Sequence, residues 1–160
     1  MTTAYLGIGS NIDATTHVPA GMQALRDAFE GVAFSPVYQS PPIGLEGDDF
    51  LNLVARVETD LSPLGLDAAL HTIEDRQGRD RSQPRWSSRT LDIDILLYGD
   101  LWLIGPKLEI PRKEILTAAH VLNPLADLAP DLVHPVERKS IQDLWAAFPR
   151  KNVELQPYVL

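Results

Sequence analysis

The sequence predicts an α+β fold of the ferredoxin-like type. Its core is a mainly antiparallel sheet built as a split βαβ unit, with helices packed on it and a helical C-terminal extension. Three observations lead there. Short apolar runs and amphipathic stretches follow one another as strand, helix, strand, strand, helix, strand over residues 4–98. The chain has 160 residues, the length of one domain over 1–160. Its composition, 44% hydrophobic and 22% charged, is that of an ordinary globular protein that needs no disulfide staple.

Residues 4–9 (AYLGIG) are short, apolar and glycine-bounded, which predicts a strand. Thr15 and Thr16 are candidate caps for a helix to about Phe29, because Val18, Met22, Leu25 and Phe29 recur on one helical face. Residues 32–40 predict a second strand, ended by Pro41 and Pro42, which have no N–H to give a ladder. A loop over 41–49 follows. Residues 50–59 (FLNLVARVET) predict a third strand with partial alternation.

Ser62–Pro63 is a helix start, with Leu66, Leu70 and Ile73 as its apolar stripe and Gly78 as its stop. A basic loop over 78–88 leads into a fourth strand at 90–98 (TLDIDILLY), closed by a turn at Gly99–Asp100. The tail predicts a short strand or two within 101–110, a helix from Asn123–Pro124 to Ala129, a last helix from Ser140 and a short extended end.

The composition excludes several function classes. Without cysteine there is no Cys-ligated zinc, iron–sulfur cluster, disulfide framework or thiol nucleophile. No apolar run approaches 18 residues and no secretion signal is evident, so a cytoplasmic protein with no membrane partner is expected. A net charge of −8 disfavours general nucleic-acid binding. Gly7-x-Gly9 is only a fragment of a dinucleotide motif, and a Walker-type phosphate loop is absent. The four histidines show no metal-ligand spacing.

Against the acidic background, Arg76, Arg79, Arg81, Arg85 and Arg89, five of ten arginines, fall within fourteen residues. Guanidinium groups bind phosphate oxygens bidentately. Directly after them, alternation along a strand puts Asp92 and Asp94 on one face, about 7 Å apart at Cα. Such a pair either grips Mg²⁺ between hard oxygens or forms the solvated face of an edge strand. The arginine loop likewise either binds phosphate or is a solvated charged loop.

Gly9–Ser10–Asn11 reads as a tight turn that exposes backbone near a ligand. Ser40, Pro41, Pro42 and Ile43 form a stiff, mostly apolar stretch suited to one wall of a slot for a flat heterocycle. Phe50 and Asn52, on one side of a regular strand, offer a ring for stacking and an amide for pairing with ring nitrogens. Core packing and turn formation are the plainer alternatives for these segments.

Taken together, Gly9–Ser10–Asn11, Tyr38-x-Ser40–Pro41–Pro42-x-Gly44, the run 49–52 (DFLN), and above all 74–79 (EDRQGR) with Arg81, Arg85–Trp86 and 89–95 (RTLDIDI) resemble the 6-hydroxymethyl-7,8-dihydropterin pyrophosphokinase family of folate synthesis. The similarity spans about residues 3–135. It implies transfer of the β,γ-diphosphate of ATP, a co-substrate, to the pterin hydroxymethyl group, with release of AMP. It implies that Asp92 and Asp94 hold two Mg²⁺ ions. It places Arg79 and Arg89 in catalysis and Glu74, Arg81 and Trp86 at the nucleotide. Ser40, Pro41, Pro42, Ile43, Phe50 and Asn52 match the pterin pocket.

The chain departs from the family pattern over 111–122. Arg112 stands for a histidine, Ala118 for an arginine and His120 for an aromatic residue. Arg112 is therefore expected at ATP, and a neutral His120 against the pterin opposite Phe50. Lys107 and His71 replace other polar residues at the nucleotide pocket. A monomer is expected. Two other readings are a non-catalytic pterin- or nucleotide-binding relative of the same fold and an RNA-binding ferredoxin-like module.

Overall fold

The structure is a computed structural model, and it describes residues 1–42, 47–79, 82 and 90–160. Its elements in order are β1 (Thr2–Ser10), α1 (Ala14–Ala28), β2 (Glu30–Phe34), β3 (Val37–Ser40), β4 (Phe50–Thr59), α2 (Pro63–Arg76) and β5 (Asp92–Tyr98). Then follow β6 (Leu103–Ile104), β7 (Glu109–Ile110), α3 (Glu114–Thr117), α4 (Ala119–Leu128), α5 (Ile141–Ala147) and β8 (Gln156–Tyr158). The main sheet runs β5-β1-β4-β3-β8, with β2 also on β4, and each pairing is antiparallel. This is the expected α+β, ferredoxin-like core with C-terminal helices. β6 and β7 form a separate hairpin.

The pleat divides the sheet into two faces. Ala4, Leu6 and Ile8 of β1, Leu51, Leu53, Ala55 and Val57 of β4, and Ile93 and Ile95 of β5 lie in one core with Val18 and Leu25 of α1 and Leu66, Leu70 and Ile73 of α2. α1 comes close to the β5 side because residue 21 is glycine: a Cβ there would lie 2.9 Å from Leu91 Cδ2. The opposite face packs Val54, Leu96 and Leu97 against Ile115, Leu122, Leu125 and Ile141 of α3, α4 and α5. A register shift between Tyr5 and Leu6 changes the phase of β5 and brings both Leu96 and Leu97 into that second core. β4 is covered on both faces, which is why its sequence alternates only partly.

Several boundaries differ from the sequence reading. The predicted strand over 32–40 is two strands, because Pro36 cannot donate and Ser35 takes over the break. Its hydroxyl oxygen accepts the Val54 N–H at 2.8 Å, and its own N–H donates to the Val54 carbonyl at 2.9 Å. Gly9 and Ser10 belong to β1 rather than to a turn. Ser10 is buried and donates its hydroxyl to the Thr90 carbonyl at 2.6 Å.

α1 is capped by Asp13 in the left-handed conformation, not by Thr15 or Thr16. The Asp13 carbonyl accepts from the amides of Thr16 and His17. α4 begins at Ala119, not at Asn123–Pro124. No side chain caps it, and Pro124 lies in its second turn, where its missing N–H leaves the His120 carbonyl without the usual helical partner. By contrast, α2 and α5 start where expected: Ser62 accepts from the Gly65 amide and Ser140 from the Asp143 amide, both at 3.1 Å. Gly78, at φ 77°, follows the end of α2.

Candidate active site

The helices on the second face cover the Leu96 half of β5 and leave the Asp92 half open. A cavity of about 460 Å³ lies there, lined by strand residues on its floor and by Arg112, Glu114, Ala118 and His120 on its rim. The floor is set by register: Asp92 pairs with Gly9 and Asp94 with Gly7 on β1, and Gly9 pairs with Asn52 on β4. All five of these positions face one way. The two carboxylates therefore share a face, as alternation predicts, while Ile93 and Ile95 are buried on the other.

The glycines keep the floor open. A Cβ at Gly9 would lie 2.8 Å from Asn52 Oδ1, and one at Gly7 would lie 3.3 Å from Leu96 Cδ2. Gly7 was not among the residues the sequence singled out for the site. Its signal was the alternation of Gly7 and Gly9 on the face opposite Leu6 and Ile8.

Each aspartate faces a guanidinium. Arg79 Nη1 donates to Asp92 Oδ1 at 2.9 Å and to the Leu91 carbonyl at 3.1 Å. Arg112 Nε lies 3.8 Å from Asp94 Oδ2 and 3.3 Å from Glu114 Oε2. Burial, and then the neighbouring Asp92 charge, push Asp94 up from the usual 3.8 to about 7, although Arg112 acts in the opposite direction. A site that penalises its own carboxylate charge favours a bound cation.

The donor set fits Mg²⁺. The carboxylates are hard oxygen ligands side by side, and a Cβ at either glycine would crowd the space above the floor. Among the described residues no cluster of three or more potential ligands exists, so water and phosphate oxygens would complete the shell. Mg²⁺ is held in that way at phosphate-transfer sites.

A second group of lining residues carries no carboxylate or guanidinium. It comprises Ser40, Pro41, Phe50 and Asn52, with His120 at the start of α4. Asn52 is 9% exposed, and its Nδ2 donates to Ser40 Oγ at 3.3 Å. Burial holds His120 below the usual histidine range, with Glu114 opposing, so the ring is neutral at pH 7. Tyr38, on the same face of β3 as Ser40, donates its hydroxyl to Asp127 of α4 and ties this wall to the helix. Burial and the Asp127 contact push the phenol up to about 12.

Other expected residues lie elsewhere. Glu74 is buried behind β5 and does not line the cavity; its carboxylate accepts the Ile93 amide at 2.7 Å and lies 3.5 Å from Arg79. Lys107 is exposed in the β6–β7 connection and does not line the cavity, and His71 is exposed on α2, 3.6 Å from Asp67. Pro42 does not line the cavity either. Ile43, Arg81, Trp86 and Arg89, and with them most of the arginine loop, lie outside the described residues. Lys113, Glu114 and Thr117 line the rim without having been singled out as site residues.

Comparison with known proteins points one way. Residues 5–130 match the family model for 7,8-dihydro-6-hydroxymethylpterin-pyrophosphokinase. The chain is 43% identical over 160 residues to the 2-amino-4-hydroxy-6-hydroxymethyldihydropteridine pyrophosphokinase of Pseudomonas aeruginosa, covering 96% of each protein. It is 38% identical to the Haemophilus influenzae protein of the same name, covering 98% of this chain and all of that one. Among solved structures, Plasmodium falciparum HPPK-DHPS superposes over 91% of this chain with a TM-score of 0.72 at 15% identity. The chain spans 45% of that longer protein, and the likeness concerns the fold.

Proposed function

The chain belongs to the 7,8-dihydro-6-hydroxymethylpterin-pyrophosphokinase family, and on that footing we propose how its own residues carry out the family's reaction. It is an ATP-dependent pyrophosphokinase of folate biosynthesis. The pterin hydroxyl oxygen forms a bond to the β-phosphorus of ATP and gives up its proton to solvent, the bond from that phosphorus to the α-phosphate oxygen breaks, and AMP leaves. No enzyme nucleophile is needed, in keeping with a chain that has no cysteine.

The observation that carries the assignment of residues is the shared face of Asp92 and Asp94 on the floor of the cavity that Asn52 and His120 also line. Asp92 and Asp94 would hold two Mg²⁺ ions, which when bound neutralise phosphate charge and polarise the reacting oxygens. Arg79 orients Asp92 and Arg112 contributes positive charge at the triphosphate. Arg89 acts in catalysis, and Arg81 and Trp86 act at the nucleotide, by their match to the family motif.

The pterin lies between Phe50 and His120, with Asn52 and the Ser40–Pro41 wall at its edge. Pro42 continues from Pro41 at that wall, and Ile43 is assigned to the pterin pocket by its match to the family motif alone. Glu74 supports the nucleotide site from behind by fixing β5, and Lys107 would reach ATP only at the margin. Alignment of the hydroxyl with the β-phosphorus and stabilisation of developing charge supply the acceleration.

The protein is further proposed to act as a cytoplasmic monomer on small molecules alone. Its acidic balance supports small molecules over nucleic acid as partners, and the lack of cysteine is compatible with a reducing cytoplasm. Among the described residues no helix is long and apolar enough to cross a membrane. The deciding assay combines protein, Mg-ATP and 6-hydroxymethyl-7,8-dihydropterin and identifies the nucleotide product. AMP is expected. ADP would indicate an ordinary kinase, and binding without turnover a non-catalytic relative.

A further inference from the structure

Arg112 has two carboxylate neighbours in the cavity. The carboxylate of Asp94, assigned above to a metal, faces Arg112 across 3.8 Å, and the same Nε lies 3.3 Å from Glu114 on the rim. The Arg112 main chain is fixed, since its N–H donates to the Leu96 carbonyl at 2.9 Å on β5 itself. The side chain is 28% exposed and lines the same cavity as Asp94. A guanidinium so placed stabilises the Asp94 anion that a divalent cation needs, and it also repels that cation. Glu114 offers it a second anionic neighbour at the same nitrogen.

We propose that Arg112 is a displaceable counter-ion of Asp94: a divalent cation entering the site competes with it, and the freed guanidinium turns to the phosphates of the nucleotide. The inference rests on the metal assignment of Asp94 above and gives Arg112 two successive partners, Asp94 and then the nucleotide phosphates. It has a thermodynamic consequence. Cation alone must break the Arg112–Asp94 contact, and Arg112 then keeps only Glu114 as an anionic partner. Cation with nucleotide breaks it and gains an arginine–phosphate contact. The two ligands therefore favour each other's binding, and part of that coupling runs through Arg112.

The experiment titrates the whole protein with Mn²⁺ as the probe, followed by electron paramagnetic resonance, without and with a non-hydrolysable ATP analogue. Arg112→Gln is expected to bind Mn²⁺ alone about 5- to 20-fold more tightly than wild type, and to lose a similar factor from the mutual enhancement by the analogue. Arg112→Lys keeps a positive charge and is expected to stay within about threefold of wild type for Mn²⁺ alone. It provides the comparison should the glutamine variant fold poorly.

Asp94→Asn separates the two layers of the argument. If Asp94→Asn loses Mn²⁺ binding while Arg112→Gln binds Mn²⁺ alone no more tightly than wild type, the counter-ion inference is overturned and the metal assignment stands. If Asp94→Asn binds Mn²⁺ like wild type, the metal assignment falls and takes the inference with it.

Discussion

The Glu74 carboxylate accepts the backbone N–H of Ile93 at 2.7 Å, joining α2 to the open edge of β5 midway between Asp92 and Asp94. Edge strands lack a partner for outward amides. Here a buried side chain substitutes for one and fixes the pleat from which both aspartates project. Glu74→Ala removes that acceptor and leaves a buried amide and Arg79 with one contact fewer. A stability loss of about 2–4 kcal/mol in urea unfolding is expected, together with a lower kcat. A variant as stable as wild type would show that Glu74 does not brace the strand.

Gly9 keeps the floor open below Asn52. A methyl group there would meet Asn52 Oδ1 at 2.8 Å and push the amide off its hydrogen bond to Ser40. For Gly9→Ala, the KM for the pterin is expected to rise about tenfold, or about 1.4 kcal/mol, with a smaller change in the KM for ATP. Steady-state kinetics with each substrate varied in turn distinguishes the two.

Asp94 makes stability depend on pH in an unusual direction. Its folded value is about 7 against 3.8 for an ordinary carboxylate. Between those values the folded protein keeps a proton that the unfolded chain has lost. Stability of the metal-free protein therefore falls as pH rises from about 4 to about 7, and levels off above that. Solvent reaches 36% of the side chain, which reduces the effect. Asp94→Asn is expected to raise the Tm at pH 8 by about 2–4 °C, or about 1 kcal/mol, and to leave it nearly unchanged at pH 4. Thermal melts in a chelator at both values check it.

The His120 ring is held neutral by burial, so its protonation falls below the usual histidine range. Pterin affinity is expected to stay level from pH 8 down to about 6.5. His120→Phe should keep affinity within about threefold, while His120→Ala should weaken it by up to about tenfold, the range of an aromatic contact. Equilibrium binding of the pterin over that pH range tests both.

Where local rules act alone, the sequence was a sufficient guide. Ser62 and Ser140 cap their helices because a hydroxyl satisfies an amide within its own turn. The alternation of residues 91–95 placed Asp92 and Asp94 on one face because a strand leaves no other choice. The misses are tertiary. Ser35 bridges a broken strand only because Val54 of β4 lies beside it. Ala119 starts a helix without a capping side chain because Leu122 and Leu125 are buried against Val54 and Leu96. Gly9 looked like a turn, yet it is a strand residue whose missing side chain makes room for Asn52. The bond from the Ile93 amide to Glu74 was likewise not legible, because it depends on how α2 docks beside β5.

The most direct measurement is the rate of Mg²⁺-dependent AMP release from ATP and 6-hydroxymethyl-7,8-dihydropterin by Asp92→Ala and Asp94→Ala, each checked for a native circular dichroism spectrum. A fall of at least about 1000-fold in both is expected, because charge stabilisation at the phosphates is lost along with the metal. AMP released at near the wild-type rate by either variant would contradict the account.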